Sequence, residues 1–219
     1  MKIISHRGSN LSVYNKNTKE ALISAINNNF IDGIEFDVRI TKDKKIVIVH
    51  DPIINFVSDG SGLVSKMKLK KLKKYNFGTR EYPSKICTLD ELLNDINTNK
   101  IILIELKFEG NKYKKFVDIV FDIIKKYKLN IYICSFNNDL LKYFYTKYKK
   151  CGLLISKFIN NKKLYNNYYF NIVTYDYKDI ITKKEIFLWT INEYKDDLDE
   201  FYIITDTPYI FINKWNHIS

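Results

Sequence analysis

A small, slightly irregular (β/α)8 barrel is the fold class the sequence predicts, and three observations predict it. Apolar runs of strand length recur along the whole chain, separated by amphipathic stretches of helical length. One connection, Thr41-Lys42-Asp43-Lys44, is too short for a parallel crossover and must close an antiparallel hairpin. Nine strand segments less the returning arm of that hairpin leave eight β/α units in 219 residues, a length suited to one domain.

In chain order, Ile3-Ile4 is a short strand that runs into Ser5-His6-Arg7-Gly8. Asn17-Thr18 caps a helix whose apolar positions, Ala21, Leu22, Ala25 and Ile26, fall at helical spacing. Ile34–Val38 alternates with period two, and Lys45–Val49 returns from the hairpin. Folding about the turn pairs Ile40 with Lys45, Val38 with Val47 and Glu35 with His50, within about a residue. His50 is thereby carried back beside Glu35 and Asp37. Thr88-Leu89-Asp90-Glu91 is a capping box that opens a helix over Leu89–Ile96. Further strands are expected at Ile101–Leu106, Ile131–Ser135, Gly152–Ile155, Ile172–Tyr175, Ile186–Ile191 and Tyr202–Thr205, with helices at Tyr113–Lys126 and Asp139–Tyr148.

Composition excludes several classes. Seven glycines and three prolines are too few for collagen-like or linker-dominated chains. No apolar run approaches the roughly 20 residues that span a bilayer, and the N-terminus turns polar too early for a secretory segment, so a cytoplasmic protein is expected. Cys87, Cys134 and Cys151 have no ligand-like spacing and are read as reduced, buried thiols. The net charge of +11 comes from 33 lysines and only Arg7, Arg39 and Arg80, scattered except for the run Lys66–Lys74. A nucleic-acid reader would favour arginine, so no nucleic-acid partner is expected. The charge does admit a weak attraction to anionic membranes or substrates.

Barrel enzymes carry their chemistry at the C-terminal ends of the strands. Here those ends hold His6, Arg7, Glu35, Asp37, Glu105, Lys107 and Ser135-Phe136, then Trp189-Thr190-Ile191-Asn192 and Thr205-Asp206-Thr207-Pro208. Glu35, Asp37 and Glu105 interrupt otherwise apolar central strands, where unpaired charge is costly. An all-oxygen carboxylate cluster suits a hard divalent cation, Mg2+ or Ca2+. Two of the three histidines, His6 and His50, land at the same place and form an acid/base pair, whereas His217 falls in no motif. Arg7 and Lys107 add cations at the rim, which suits a phosphate. Together these groups describe metal-assisted cleavage of a phosphodiester.

The chain resembles the glycerophosphodiester phosphodiesterase family. The resemblance is carried by His6-Arg7-Gly8, Asn17-Thr18, Ile34-Glu35-Phe36-Asp37-Val38, Thr41-Lys42-Asp43 and His50-Asp51-Pro52, then by Leu89-Asp90-Glu91-Leu92-Leu93, Glu105-Leu106-Lys107, Ser135-Phe136, Trp189-Thr190-Ile191-Asn192 and Thr205-Asp206-Thr207-Pro208. It implies a (β/α)8 barrel over 1–219 with a small insertion at about 53–85. It implies a divalent cation on Glu35, Asp37 and Glu105, an acid/base pair in His6 and His50, and phosphate contacts from Arg7 and Lys107. The implied reaction is hydrolysis of a small-molecule glycerophosphodiester to sn-glycerol 3-phosphate and an alcohol. Trp189 and Phe136 are then either barrel fillers or an apolar wall against the glycerol carbons. The chain departs from the family's Pro-Glu-Asn-Thr: it has Asn15-Lys16-Asn17-Thr18, with Lys16 replacing an acid near the site.

Two other readings use the same residues. Related barrels of the sphingomyelinase D and phosphatidylinositol-specific phospholipase C kinds release a cyclic phosphate by neighbouring-hydroxyl attack, or a headgroup from a lysophospholipid in phospholipase D fashion. A non-catalytic basic barrel that binds anionic surfaces would leave the joint presence of these polar residues without a purpose.

Overall fold

The computed structural model describes residues 1–9, 11–155, 167–177 and 184–215, the last three by backbone alone. His217 lies outside the described residues. Strands β1 (Lys2–His6), β2 (Gly33–Ile40), β4 (Ile101–Leu106), β5 (Asn130–Ser135), β6 (Cys151–Ile155), β7 (Phe170–Val173), β8 (Glu185–Leu188) and β9 (Tyr202–Thr205) are all parallel, and β1 pairs with both β2 and β9 to close the ring. β3 (Ile46–Ile48) is the antiparallel return of the hairpin. Among the described residues no helix is long and apolar enough to cross a membrane.

The expected strands all form, with shorter C-terminal ends at β7 and β8. A 3-10 turn over Tyr175–Tyr177 replaces the end of the expected seventh barrel strand, and β8 stops at Leu188 rather than Ile191. Helix α1 (Lys19–Asn27) starts at the Thr18 cap, whose side chain accepts from Ala21 N. The short α2 (Leu69–Leu72) lies in the insertion, and α3 (Leu89–Asp95) has both halves of its capping box. Around the ring α4 (Lys114–Ile124), α5 (Asn138–Tyr145) and α6 (Pro208–Trp215) follow β4, β5 and β9.

The hairpin register differs from the expectation by one residue: Val38 pairs with Ile48 and Ile40 with Ile46. A one-residue slip reverses the face of every side chain on the arm, and this register would turn His50 away from Asp37. The ladder ends before it matters. β3 stops at Ile48, Val49 N donates to Asp37 O at 3.0 Å, and the chain bends at His50. β1 ends at His6 opposite Glu35, so the outer part of β2 is free to take β3 as its neighbour.

Strand alternation sorts the core into two layers. Outward residues such as Ile34, Phe36, Ile102, Ile104, Ile133 and Leu153 pack with the helices. Inward residues fill the barrel: Ile4, Ile101, Leu103, Tyr132, Phe170 and Phe187 at its floor and middle, with Cys134, Leu154, Ile172 and Ile204 above. Gly152 is required here, because a Cβ would meet the Phe170 ring at 2.2 Å. Residues 53–85 are built from two 3-10 turns and α2. They have a small core of their own, in which Ile54, Val64, Leu72 and Phe77 pack on Val47 and Val49 of the hairpin arm. This unit braces the β1–α1 loop, since Asn15 Nδ2 donates to Phe77 O at 3.0 Å and Ser84 Oγ to Glu20 Oε2 at 2.6 Å.

Candidate active site

The same parity that fills the barrel places its inward charges at the top layer. On β2 the inward sequence is Gly33, Glu35, Asp37; on β4 it is Ile101, Leu103, Glu105, with Lys107 one step beyond. One carboxylate oxygen from each of Glu35, Asp37 and Glu105 lies within 4.8 Å of the other two, and all three residues are buried. Lys107 Nζ bridges Glu105 Oε1 at 2.6 Å and Asp37 Oδ1 at 3.4 Å. Arg7 Nε approaches Asp37 Oδ2 to 2.9 Å, and Asn17 Nδ2 donates to the same oxygen at 2.9 Å.

Arg7 reaches this position through an unusual turn. Arg7 and Gly8 both take left-handed backbone, at φ 58° and 73°. The conformation is costly for arginine and free for glycine. It is held by Arg7 N donating to Glu35 O (2.7 Å) and Asn17 N donating to Arg7 O (2.9 Å). A Cβ on Gly8 would meet the backbone of Ala21 at 2.7 Å, so glycine also lets α1 close on the turn.

Burial pushes the Glu35 carboxyl well above its ordinary value, and the charges of Asp37 and Glu105 add to the shift. Glu105 is pushed up to about 7 by burial and by Asp37. Burial opposes ionisation of Asp37 as well, but Arg7, Lys107 and His50 outweigh it and hold this carboxyl below its ordinary value. With both glutamates ionised, three carboxylates against two cations would leave one negative charge to compensate, and Glu35 Oε2 is a buried oxygen without a hydrogen-bond donor. The donor set and that orphaned oxygen fit a hard divalent cation.

The two histidines flank this cluster. His6 Nδ1 shares a 2.7 Å hydrogen bond with Asp206 Oδ1, and its Nε2 stands 3.7 Å from Glu35 Oε2. His50 Nδ1 shares a 2.8 Å hydrogen bond with Asp51 Oδ1, while Arg39 Nε donates to the His50 carbonyl at 2.6 Å. Burial, then Lys107 and Arg7, hold the His50 imidazole below its ordinary value against the pull of Asp37. A cavity of about 140 Å3 opens between them, lined by His6, Arg7, Glu35, His50, Glu105 and Lys107 on one side. Its other side is Cys134, Phe136, Leu154, Ile172, Trp189 and Ile204. Phe136 and Trp189 meet edge to face at 5.5 Å between centroids, with Lys107 Nζ 5.8 Å above the Phe136 ring.

All nine residues singled out in the sequence thus gather at one cavity: eight line it, and Asp37 lies against Arg7 and Lys107 at its wall. Asp206, Asn17, Asp51 and Arg39 are further polar members: the sequence shows Asp206 at a strand end and Asn17 and Asp51 in the motifs of the resemblance, but assigns none of the four a role at the site. Asp206 stood in view at the end of the last strand, but its bond to His6 spans 200 positions. Lys16 takes up the same carboxylate at 2.7 Å, so this departure from the family pattern is an ion pair at the rim.

A family model described as the Glycerophosphoryl diester phosphodiesterase family matches residues 6–176. The glycerophosphodiester phosphodiesterase of Caldanaerobacter subterraneus subsp. tengcongensis is 28% identical over 242 residues, with 96% of each chain covered. Among solved structures, the chain is similar to the glycerophosphodiester phosphodiesterase of Thermotoga maritima, at TM-score 0.76 and 27% identity with 97% of each chain covered. An Oleispira antarctica phosphodiesterase, solved with its product sn-glycerol-3-phosphate, superimposes at TM-score 0.84 and 21% identity over 99% of this chain and 97% of that one.

Proposed function

We propose that this chain, which belongs to the glycerophosphoryl diester phosphodiesterase family and is a glycerophosphodiester phosphodiesterase, uses two histidines and a divalent cation to release sn-glycerol 3-phosphate and an alcohol. The observation that carries the mechanism is the convergence of three buried carboxylates, two cations and two carboxylate-bound imidazoles on one cavity. Glu35, Asp37 and Glu105 would hold Mg2+ or Ca2+. Bound there, the ion would supply Lewis-acid polarisation of the phosphoryl oxygens.

The chain's own groups do the rest. Arg7 and Lys107 orient the phosphate by charge-assisted hydrogen bonds. His50, whose imidazole burial holds below its ordinary value, removes the proton from the attacking water. His6, between the Asp206 and Glu35 carboxylates, delivers a proton to the leaving oxygen. Asp206 and Asp51 each accept from Nδ1, which fixes the tautomer and leaves Nε2 for the chemistry. Phe136 and Trp189 face the glycerol carbons.

The test is turnover of a glycerophosphodiester panel after EDTA treatment, with Mg2+ or Ca2+ restored and products read by 31P NMR. The reading expects metal-dependent appearance of sn-glycerol 3-phosphate. Unimpaired turnover in EDTA, or a cyclic phosphate as the end product, overturns it.

A further inference from the structure

We propose that the insertion at 53–85 docks the protein on an anionic lipid surface, with Phe56 entering the interface and the neighbouring lysines engaging the headgroups. Phe56 is 87% exposed, the most exposed large apolar side chain among the described residues. It does not stand alone. Ile53 and Leu63 are partners in an antiparallel bridge, and both are also exposed. Ile53 precedes the 3-10 turn that ends at Phe56. Leu63 precedes the second turn, which ends at Lys66. The bridge thus holds Ile53 and Leu63 together at the start of two short turns, one ending at Phe56 and the other at Lys66.

The charge around this patch is one-sided. Between 53 and 85 there are eight basic residues and two acidic ones, Asp59 and Glu81. Lys73 is neutralised by Glu91. Lys66, Lys68, Lys70, Lys71 and Lys74 are exposed and have no ion pair among the described residues. A unit of this length has a radius of gyration of roughly 8 Å, so these charges are carried by one small part of the molecule, and each one near an anionic surface adds to the attraction.

One exposed aromatic side chain, two exposed aliphatic ones and five exposed lysines in a single short unit match the composition of an interfacial anchor. Three side chains are too few for a stable protein interface, which buries about 800 Å2 on each partner. The patch also adjoins the site. Pro52 and Val64, next to Ile53 and Leu63, line a cavity of about 210 Å3 that shares Lys107 with the catalytic cavity. Docking would thus bring the mouth of the barrel to the lipid.

The experiment is flotation of the full chain with vesicles of phosphatidylcholine alone or with 30% phosphatidylglycerol, at low and high salt. Binding is expected to the anionic vesicles only, and to weaken as salt rises. Phe56→Ser should reduce it about tenfold, and the triple change Lys70→Gln, Lys71→Gln, Lys74→Gln about 100-fold. Phe30→Ser removes an exposed aromatic before β2, at the opposite end of the barrel, and should change nothing. Turnover of a water-soluble glycerophosphodiester should survive all three changes, which separates failure here from failure of the catalytic reading. Equal vesicle binding by wild type and Phe56→Ser, or none at low salt, overturns the proposal. So does a concentration-dependent dimer that Phe56→Ser abolishes, which would assign the patch to a second copy.

Discussion

The two sides of the barrel share one ring of parallel strands but present opposite chemistry to the cavity between them. The side built by β1, β2 and β4 offers His6, Arg7, Glu35, Glu105 and Lys107; the side built by β5 to β9 offers Cys134, Leu154, Ile172 and Ile204, with Phe136 and Trp189 just beyond their strands. On the apolar side the cavity wall is simply the upper layer of the barrel core, so packing there serves function and stability together. On the charged side the two are opposed. Burial and mutual repulsion raise Glu35 and Glu105, while Asp37 is stabilised by Arg7 and Lys107. Charge held at that cost, in a layer that apolar side chains would fill, is the reason the reaction is proposed to occur there.

The largest effect should come from emptying the charged side. Asp37→Ala or Glu35→Ala is expected to lower metal-dependent kcat by about 10³-fold, several kcal/mol of transition-state stabilisation. The two variants should separate in stability. Asp37→Ala strips Arg7 and Lys107 of a buried partner and should cost about 3–5 kcal/mol. Glu35→Ala relieves repulsion, so the metal-free protein should melt no lower than wild type. Thermal melts of both in EDTA check this, and equal losses would break the distinction.

The pH dependence of metal-free stability has a definite sign. Glu105 keeps its proton in the folded state up to about 7, whereas the unfolded chain releases it near 4.5. Stability therefore falls as pH rises through that window, and Glu35 acts in the same direction. Asp37 and Asp206 act oppositely, because their contribution is lost as pH falls below about 3.8, and His50, held below its ordinary 6.5, opposes the decline as one group against two. Melting in EDTA from pH 4 to 8 should show the decline, and Glu105→Gln should flatten it. A melting temperature that rises over this range would contradict the assignment.

The charged side was legible in the sequence because acids and histidines in apolar strands cannot pass for core. Glu35, Asp37 and Glu105 each broke a run of Ile, Leu, Phe or Val, and the four-residue hairpin tied His50 to them. The apolar side was largely opaque. Leu154 and Ile172 look like every other barrel filler, and of that wall only Trp189 and Phe136 stood out, by their size and strand-end position. The hairpin register slipped by one because an alternating strand fixes its face only where one side must be buried, and this arm is buried on both: Ile46 and Ile48 against the main core, Val47 against the insertion. The insertion fits no barrel unit because its turns are 3-10 and its one helix is four residues long.

On the apolar side the effects should be smaller and appear in KM. Trp189→Ala is expected to raise KM about tenfold, the value of one buried aromatic contact, with kcat nearly unchanged; a change confined to melting temperature would leave the residue only its packing role. Smallest of all is Cys134→Ala, which should alter kcat/KM less than twofold. Its thiol, pushed up by burial and by the carboxylates Glu105 and Glu35, should resist alkylation in the native protein.

The division of labour between the histidines is the centre of the account, and leaving-group rescue tests it most directly. Both His6→Ala and His50→Ala should lose about 10²-fold or more in kcat/KM on a natural glycerophosphodiester. On a p-nitrophenyl ester of glycerol 3-phosphate, whose leaving group needs no proton, His6→Ala should recover most of its turnover and His50→Ala should not. Near-normal turnover of either variant on the natural diester, or rescue of His50→Ala in place of His6→Ala, would contradict the account.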